Sequence, residues 1–221
     1  MLIHTTPLTL PMPLLMGSVN GYLLDTGAGF VLIDSGGSNS RQYLTAQLAR
    51  CGCQPGQLKL VVLTHGDADH VGNAAYLRGA FGAKIAMHPG DLDMVARGDV
   101  LAGRQNPSPS LRLLLAFSGW ISPERFTPNL LLQDGDDLTP CDLNARVVWI
   151  PGHTAGSIGI LTAQRDFFCG DLLVNRGKPS FNRLIDDWAA ARASLQKLSS
   201  LDIGTVYPGH GQPFELAQFT E

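Results

Sequence analysis

The stretch Thr64-His65-Gly66-Asp67-Ala68-Asp69-His70 directly follows the run 58–63, which is apolar except for Lys59. Such a run predicts a strand that is buried on both faces, and the loop at its end is a common location for functional side chains. Residues two apart in an extended or turning backbone point to one side. Four ligand-type side chains are therefore expected to converge here, three by this alternation and the last at the next turn: His65, Asp67, Asp69 and His70.

The charge of this stretch favours a metal site. The carboxylates of Asp67 and Asp69 repel each other unless a positive charge lies between them. For this stretch alone, a solvated acidic loop with incidental histidines is the alternative. Three further polar residues weaken that alternative, because each follows a predicted strand and stands directly after a glycine: His153, Asp171 and His210.

The ligand-type residues lie in short motifs spread along the chain. After 64–70 come Pro151-Gly152-His153-Thr154-Ala155-Gly156-Ser157, Cys169-Gly170-Asp171 and Tyr207-Pro208-Gly209-His210-Gly211. In this order they resemble the motifs of the metallo-β-lactamase-fold hydrolase superfamily: THxHxDH, then a downstream His, a bridging Asp and a last His. The resemblance runs over about 21–213. It implies an α/β fold, the four-layer αβ/βα sandwich, in which two mixed β-sheets face each other with helices outside.

The resemblance also implies a role for each of these residues in a two-metal centre. The first metal would be held by His65, Asp67 and His153 and the second by Asp69, His70 and His210, with Asp171 bridging both. A hydroxide between the metals would be the nucleophile, because divalent metals lower the pKa of bound water to about 7. Asp69 would orient it and pass its proton to the leaving group, so Asp69 and Asp171 are the expected catalytic carboxylates. Asp34, at a strand end, would hydrogen-bond to a ligand instead of binding metal.

One position departs from the family pattern, since Asp67 stands where the family usually has His. A carboxylate is a harder ligand than an imidazole, so the first site should favour Mn or Fe more than an all-nitrogen site does. Two divalent ions would balance the charge of three carboxylates and one hydroxide, which allows a full dinuclear centre. We expect two divalent metal ions as cofactors, zinc before manganese or iron.

The composition limits the class of protein. The 221 residues are 44% hydrophobic and 16% charged, which excludes a disordered or fibrous chain, and the length suits a single domain over 1–221. The net charge of −3 argues against nucleic acid as a partner. Neither an export signal nor a membrane span is apparent, so we expect a cytoplasmic protein that acts on a small-molecule substrate. A homodimer remains open.

Short apolar runs alternate with segments of helical period, which is typical of an α/β protein. Helices are predicted over 41–50, 74–81 and 186–198. An irregular, proline-rich insertion at about 90–128 interrupts the pattern. Its apolar part, 111–121, is interpreted as a cap over the site, a dimer surface or plain core.

The predicted activity is metal-dependent hydrolysis of an ester-like bond in an ester, lactone, thioester or phosphodiester. An iron-dependent sulfur dioxygenase is an alternative, since His65, His153 and Asp171 could act as a two-His, one-carboxylate triad with open positions. A non-catalytic scaffold that retains the fold is a second alternative. The complete set of seven ligand-type residues favours an enzyme over the scaffold.

Overall fold

A computed structural model describes residues 3–13, 17–104, 107 and 124–219. One sheet has six strands in sequence order, β1 to β6. The first three strands pair antiparallel, and β3 to β6 run parallel. Their bounds are His4–Pro11, Ser18–Asp25, Phe30–Ile33, Leu58–Val62, Lys84–Met87 and Leu130–Leu131. The predicted buried strand at 58–63 is therefore β4, in the interior of this sheet.

The second sheet has five strands in the order β13-β12-β9-β8-β7. Strand β12 runs parallel to β9, and the pairs β7–β8 and β8–β9 are antiparallel. Strands β7, β8, β9, β12 and β13 span Ala145–Trp149, Ile158–Thr162, Phe167–Gly170, Thr205–Pro208 and Phe214–Glu215. A separate antiparallel pair, β10 and β11, spans Leu173–Asn175 and Pro179–Phe181.

The helices are short and lie on the outer faces of the sheets or in the loops that follow strands. Helices α1 to α5 span Arg41–Arg50, Ala68–Val71, Ala74–Phe81, Leu92–Arg97 and Trp188–Ser199. Single 3₁₀ turns occur at Ser38–Ser40, Pro89–Asp91, Thr139–Cys141 and Leu216–Gln218. None of the helices in the described part of the chain has the length and apolar character needed to cross a bilayer.

Three apolar cores separate four layers. The first core packs α1 and α3 against the six-stranded sheet, with Leu44, Leu48 and Leu77 among its buried members. The second fills the space between the two sheets and includes Val62, Ile160 and Phe168. The third packs α5 against the five-stranded sheet through Ala191, Leu198 and Val206. This arrangement of helix, sheet, sheet and helix confirms the predicted four-layer sandwich.

The periodic segments agree with their predictions, and the irregular ones differ. Helices α1 and α3 have the predicted bounds, whereas α5 begins two residues later than predicted because Asp187 caps it and accepts a hydrogen bond from Ala190 N. The stretch predicted as an irregular insertion contains helix α4. The apolar part of that insertion, 111–121, lies outside the described residues.

The two sheets bring the ends of their strands to one edge of the sandwich. The polar motifs follow β3, β4, β7, β9 and β12, and these strands end at that common edge. Two backbone hydrogen bonds cross between the sheets there, from Ile158 N to Thr64 O (2.8 Å) and from Asn20 N to Gly209 O (2.8 Å). Residues that are far apart in sequence are thereby held next to one another.

Candidate metal centre

Asp34 is a buried residue that holds Thr64 and His70 in position by hydrogen bonds. Its backbone adopts a left-handed φ of 58° directly after β3, and its side chain is 2% exposed. The carboxylate accepts hydrogen bonds from Thr64 N (2.8 Å) and Thr64 Oγ1 (2.7 Å), and it lies 2.8 Å from His70 Nδ1. Since a carboxylate can only accept, His70 Nδ1 is the protonated donor. This fixes the ring so that Nε2 faces the interior of the centre.

The other three histidines of the motifs are oriented in the same way. His153 Nδ1 lies 2.7 Å from Leu184 O, and His210 Nδ1 lies 2.7 Å from Ser18 O. The Thr64 hydroxyl donates to Asp34, so it accepts from His65 Nδ1 at 3.0 Å. Each imidazole therefore uses Nδ1–H outward, which is the second contact typical of metal-binding histidines.

Seven side chains meet at this edge in three overlapping groups, within each of which the ligand atoms lie within 4.8 Å of one another. The groups are His65, Asp67 and His153; His65, His70 and Asp171; and Asp69, His70 and His210. Within the described part of the chain, three buried atoms of these groups lack a hydrogen-bond partner: His65 Nε2, His70 Nε2 and Asp171 Oδ1. Buried polar atoms are rarely left unpaired, and these three belong to one ligand group. The nitrogen and oxygen donors of the cluster therefore fit divalent cations.

Asp67 and Asp69 reach the cluster from different backbone conformations. Asp67 has extended backbone at the start of α2, whereas Asp69 lies in the first turn of that helix. Because the helix begins between them, the two-residue alternation stops there. Asp67 Oδ2 lies 3.0 Å from His153 Nε2, and Asp69 Oδ2 lies 3.4 Å from His210 Nε2. The two carboxylates thus belong to different groups.

Asp171 lies between the groups. Its Oδ1 is 3.3 Å from His70 Nε2, its Oδ2 is 3.3 Å from His210 Nε2, and Oδ2 also accepts a hydrogen bond from Asn182 Nδ2 at 2.7 Å. Burial raises the pKa of Asp171, but the facing histidines outweigh it and hold the pKa well below its ordinary value. Asp171 is therefore an anion that faces both halves of the cluster.

The histidines respond in the opposite direction. Burial lowers the pKa of His210, but the carboxylates of Asp171 and Asp69 outweigh burial and raise the pKa to about 10. The pKa values of His70 and His153 are raised against burial in the same way, with Asp34 the largest raising influence on His70 and Asp67 on His153. The metal-free cluster therefore retains protons on nitrogens that a metal ion would have to occupy.

Metal loading is accordingly expected to release more than one proton per chain near pH 7. Because the histidine pKa values are raised in the folded state, the protonated histidines stabilise the metal-free fold fully below about pH 6.5, their ordinary pKa. This stabilisation is lost as the pH rises through the raised pKa, which is about 10 for His210. Apparent metal affinity should therefore increase with pH over this range. Titration calorimetry with Zn²⁺ in buffers of different ionisation enthalpy measures the release. His88→Ala should release as many protons as the wild type, and heats that do not depend on the buffer would contradict the prediction.

Sequence reasoning missed several residues that hold the loops in place. Asp91, 2% exposed, accepts hydrogen bonds from Gly66 N (2.9 Å), Thr154 Oγ1 (2.7 Å) and Gly156 N (2.8 Å), and so ties the loop after β4 to the loop after β7. Arg104 forms ion pairs with Asp67 and Asp186. Asp91 and Arg104 lie in the predicted irregular insertion, where no motif or periodicity marks them.

His88 is placed outside the cluster. Its ring stacks on Trp149 with a centroid distance of 5.7 Å and an interplanar angle of 11°. Its Nδ1 accepts a hydrogen bond from Gly90 N at 3.0 Å. A packing role for His88 agrees with its position after a strand and before a proline.

A family model of the metallo-beta-lactamase superfamily matches residues 15–210, and the chain belongs to this superfamily. It is similar to the protein TTHA1623, whose crystal structure is of a di-iron-bound form: the identity is 32%, the TM-score is 0.74, and 96% of each chain is covered. Superfamily members thus bind divalent metals, and the residues of this cluster are able to hold them.

Two curated relatives carry the name of a thioesterase. The chain is 27% identical to the acyl-coenzyme A thioesterase MBLAC2 of Bos taurus, over 91% of this chain and 72% of the relative. It is 27% identical to the atrochrysone carboxyl ACP thioesterase of Aspergillus fumigatus, over 90% of this chain and 52% of that relative. The chain spans 52–62% of the length of three of its curated relatives. The superfamily and these relatives support a metal-dependent hydrolase.

Proposed function

We propose that the protein hydrolyses an acyl thioester, using two divalent metal ions, zinc before manganese or iron. The observation that carries the proposal is the set of four histidine Nε2 atoms and three carboxylates that face one another, three of their atoms being buried without a partner in the described structure. In this proposal His65, Asp67 and His153 hold the first ion. Asp69, His70 and His210 hold the second, and Asp171 contacts both.

The proposed mechanism divides the work among the carboxylates. When bound, the metal ions lower the pKa of a water molecule to about 7 and so supply a hydroxide nucleophile at neutral pH. Asp69 is the most exposed of the three carboxylates, with 21% of its side chain accessible, against 12% for Asp67 and 6% for Asp171. This exposure supports the proposal that Asp69 carries a proton between the nucleophile and the leaving group. Asp171 stays ionised and holds the two halves of the cluster together.

A thioester is favoured over the other ester-like bonds by the names of the two relatives. A cavity of about 280 Å³ adjoins the His153 loop and is lined in part by Met94, Trp149, Pro151 and Ala155. Arg104 and Asp186 line the same cavity. An apolar wall of this kind suits a small acyl group better than a phosphodiester.

An iron-dependent oxygenase is the second candidate, because the similar protein TTHA1623 has a di-iron-bound form. A single iron on His65, His153 and Asp171 would leave Asp69, His70 and His210 without a role, although these three form a ligand group of their own. The hydrolase uses all seven residues. A non-catalytic scaffold uses none of them and gives no reason for the unpaired buried nitrogens.

The test is a substrate panel on one protein preparation. The metal-free protein is reloaded with Zn²⁺, Mn²⁺ or Fe²⁺ and assayed on acyl-CoA thioesters, carboxylic esters, lactones and phosphodiesters, with and without oxygen and chelator. Thioester hydrolysis that disappears with chelator, returns with metal and does not need oxygen is the expected result. His210→Ala should abolish it and His88→Ala should not. Oxygen-dependent turnover would identify the oxygenase, and the absence of turnover with every metal would identify a scaffold.

A further inference from the structure

Arg104 is a buried cation at the edge of the cluster. Its side chain is 2% exposed, and the guanidinium contacts a carboxylate on each side. Nη2 lies 2.5 Å from Asp67 Oδ1, and Nη1 lies 2.7 Å from Asp186 Oδ2. Two further N–H groups donate to backbone carbonyls, from Nη1 to His153 O (3.2 Å) and from Nε to Val100 O (2.9 Å). The plane of the guanidinium is therefore fixed on several sides.

These contacts divide the two oxygens of Asp67. Oδ1 is engaged by Arg104, whereas Oδ2 faces His153 Nε2 at 3.0 Å and His65 Nε2 at 3.6 Å. With Oδ1 engaged, Asp67 can offer a metal ion one oxygen and not two. The carboxylate also shares its negative charge with a cation before any metal arrives.

We infer that Arg104 is a positioning residue for the first metal site, and that it offsets part of the extra charge of Asp67. The inference rests on the proposed function, in which Asp67 is a metal ligand. Arg104 is shared between Asp67 and Asp186, so it offsets part, and not all, of the negative charge of Asp67. Arg104 thereby brings the first site nearer to the charge of an all-histidine site and holds Asp67 as a one-oxygen ligand.

The effect of Asp67→His on the first metal site depends on Arg104. On the family pattern alone, this change restores the usual ligand. In this structure it places an imidazole against Nη2 of a buried guanidinium, while the remaining carboxylate, Asp186, contacts the other nitrogen, Nη1. The side of the cation toward the first site then has no anion beside it, which disfavours a metal ion there. Asp67→His alone should therefore weaken the first site. Removing the cation as well, in Asp67→His/Arg104→Met, should restore it.

The experiment is a double-mutant cycle on metal affinity, measured without turnover. Asp67→His, Arg104→Met and their combination are made in a His210→Ala background, which removes a ligand of the second site. Zn²⁺ and Mn²⁺ affinities of the first site are determined by competition with a chromophoric chelator, and circular dichroism checks the fold. We expect Asp67→His to bind Zn²⁺ roughly tenfold more weakly than its parent and the double variant to recover most of this loss.

Two outcomes would overturn the inference. Equal or weaker binding by the double variant than by Asp67→His would show that Arg104 compensates no charge. If Asp67→His does not fold, the variants Arg104→Met and Arg104→Lys test the inference instead. Arg104→Met should raise the ratio of Mn²⁺ affinity to Zn²⁺ affinity by about threefold or more, because the released Asp67 carboxylate can then bind with two oxygens and is a harder ligand. Arg104→Lys should raise this ratio less, because lysine keeps the positive charge. Identical ratios would contradict the inference. Absence of metal from the parent protein would instead contradict the proposed function.

Discussion

Asp171→Ala is expected to lower thioester hydrolysis by about a thousandfold or more while the protein stays folded. Asp171 contacts both halves of the cluster, with 3.3 Å between its oxygens and the Nε2 atoms of His70 and His210. In the proposed two-metal centre, its loss removes one of the anions that balance the metal charge and separates the two groups of ligands. The measurement is steady-state turnover on the best thioester of the panel, together with thermal unfolding followed by circular dichroism.

The matched control is Asp202→Ala. Asp202 is a surface aspartate, 79% exposed, whose carboxylate lies 2.8 Å from Arg165 Nε. Exposed ion pairs of this kind contribute little to stability, so turnover and unfolding should both stay near the wild-type values. Near-wild-type hydrolysis by Asp171→Ala would show that the cluster is not the catalyst.

Asp34→Ala is expected to give the largest loss of stability, about 4 kcal/mol in the free energy of unfolding. The change leaves three buried donors without their acceptor, Thr64 N, Thr64 Oγ1 and His70 Nδ1, and each unpaired buried group costs about 1–3 kcal/mol. Alanine also tolerates the left-handed φ of 58° poorly. Denaturant unfolding of the metal-free protein measures the loss without any contribution from bound metal.

Asp142→Ala separates the strain of the backbone from the loss of hydrogen bonds. Asp142 has nearly the same conformation, with φ 61°, but it is exposed at the end of a 3₁₀ turn. It should therefore lose only the backbone part, about 1 kcal/mol. Equal losses in the two variants would mean that the buried hydrogen bonds of Asp34 contribute nothing.

The sequence predicts most of the fold because most of its elements are marked locally. The run 58–63 is apolar except for Lys59 and is short, which favours a strand, and the helical periods of 41–50 and 74–81 end at residues that the structure reproduces. Strands β10 and β11 were not predicted. They have three residues each, which is too short to show a period, so their pairing depends on neighbouring loops.

The residues of the candidate site likewise include some that the sequence marks locally and some that only the tertiary structure identifies. Its histidines and carboxylates stand in compact motifs after strands, and the structure brings all seven together. The separation of Asp67 from Asp69 depends on where a four-residue helix begins, which residue spacing does not define. Arg104 meets Asp67 across 37 positions of sequence and Asp186 across 82, so its role emerges only from the tertiary structure.

The number of metal ions that the chain holds tests most directly whether the seven residues form a metal centre. The metal-free protein is exposed to Zn²⁺, Mn²⁺ or Fe²⁺, passed over a desalting column and analysed by mass spectrometry for metal per chain. We expect between one and two ions for the wild type and a lower number for His210→Ala, which keeps the ligands of the first site but loses one of the second. His88→Ala should hold as much metal as the wild type. Only trace metal in the wild type after all three exposures would show that the seven residues do not form a metal centre.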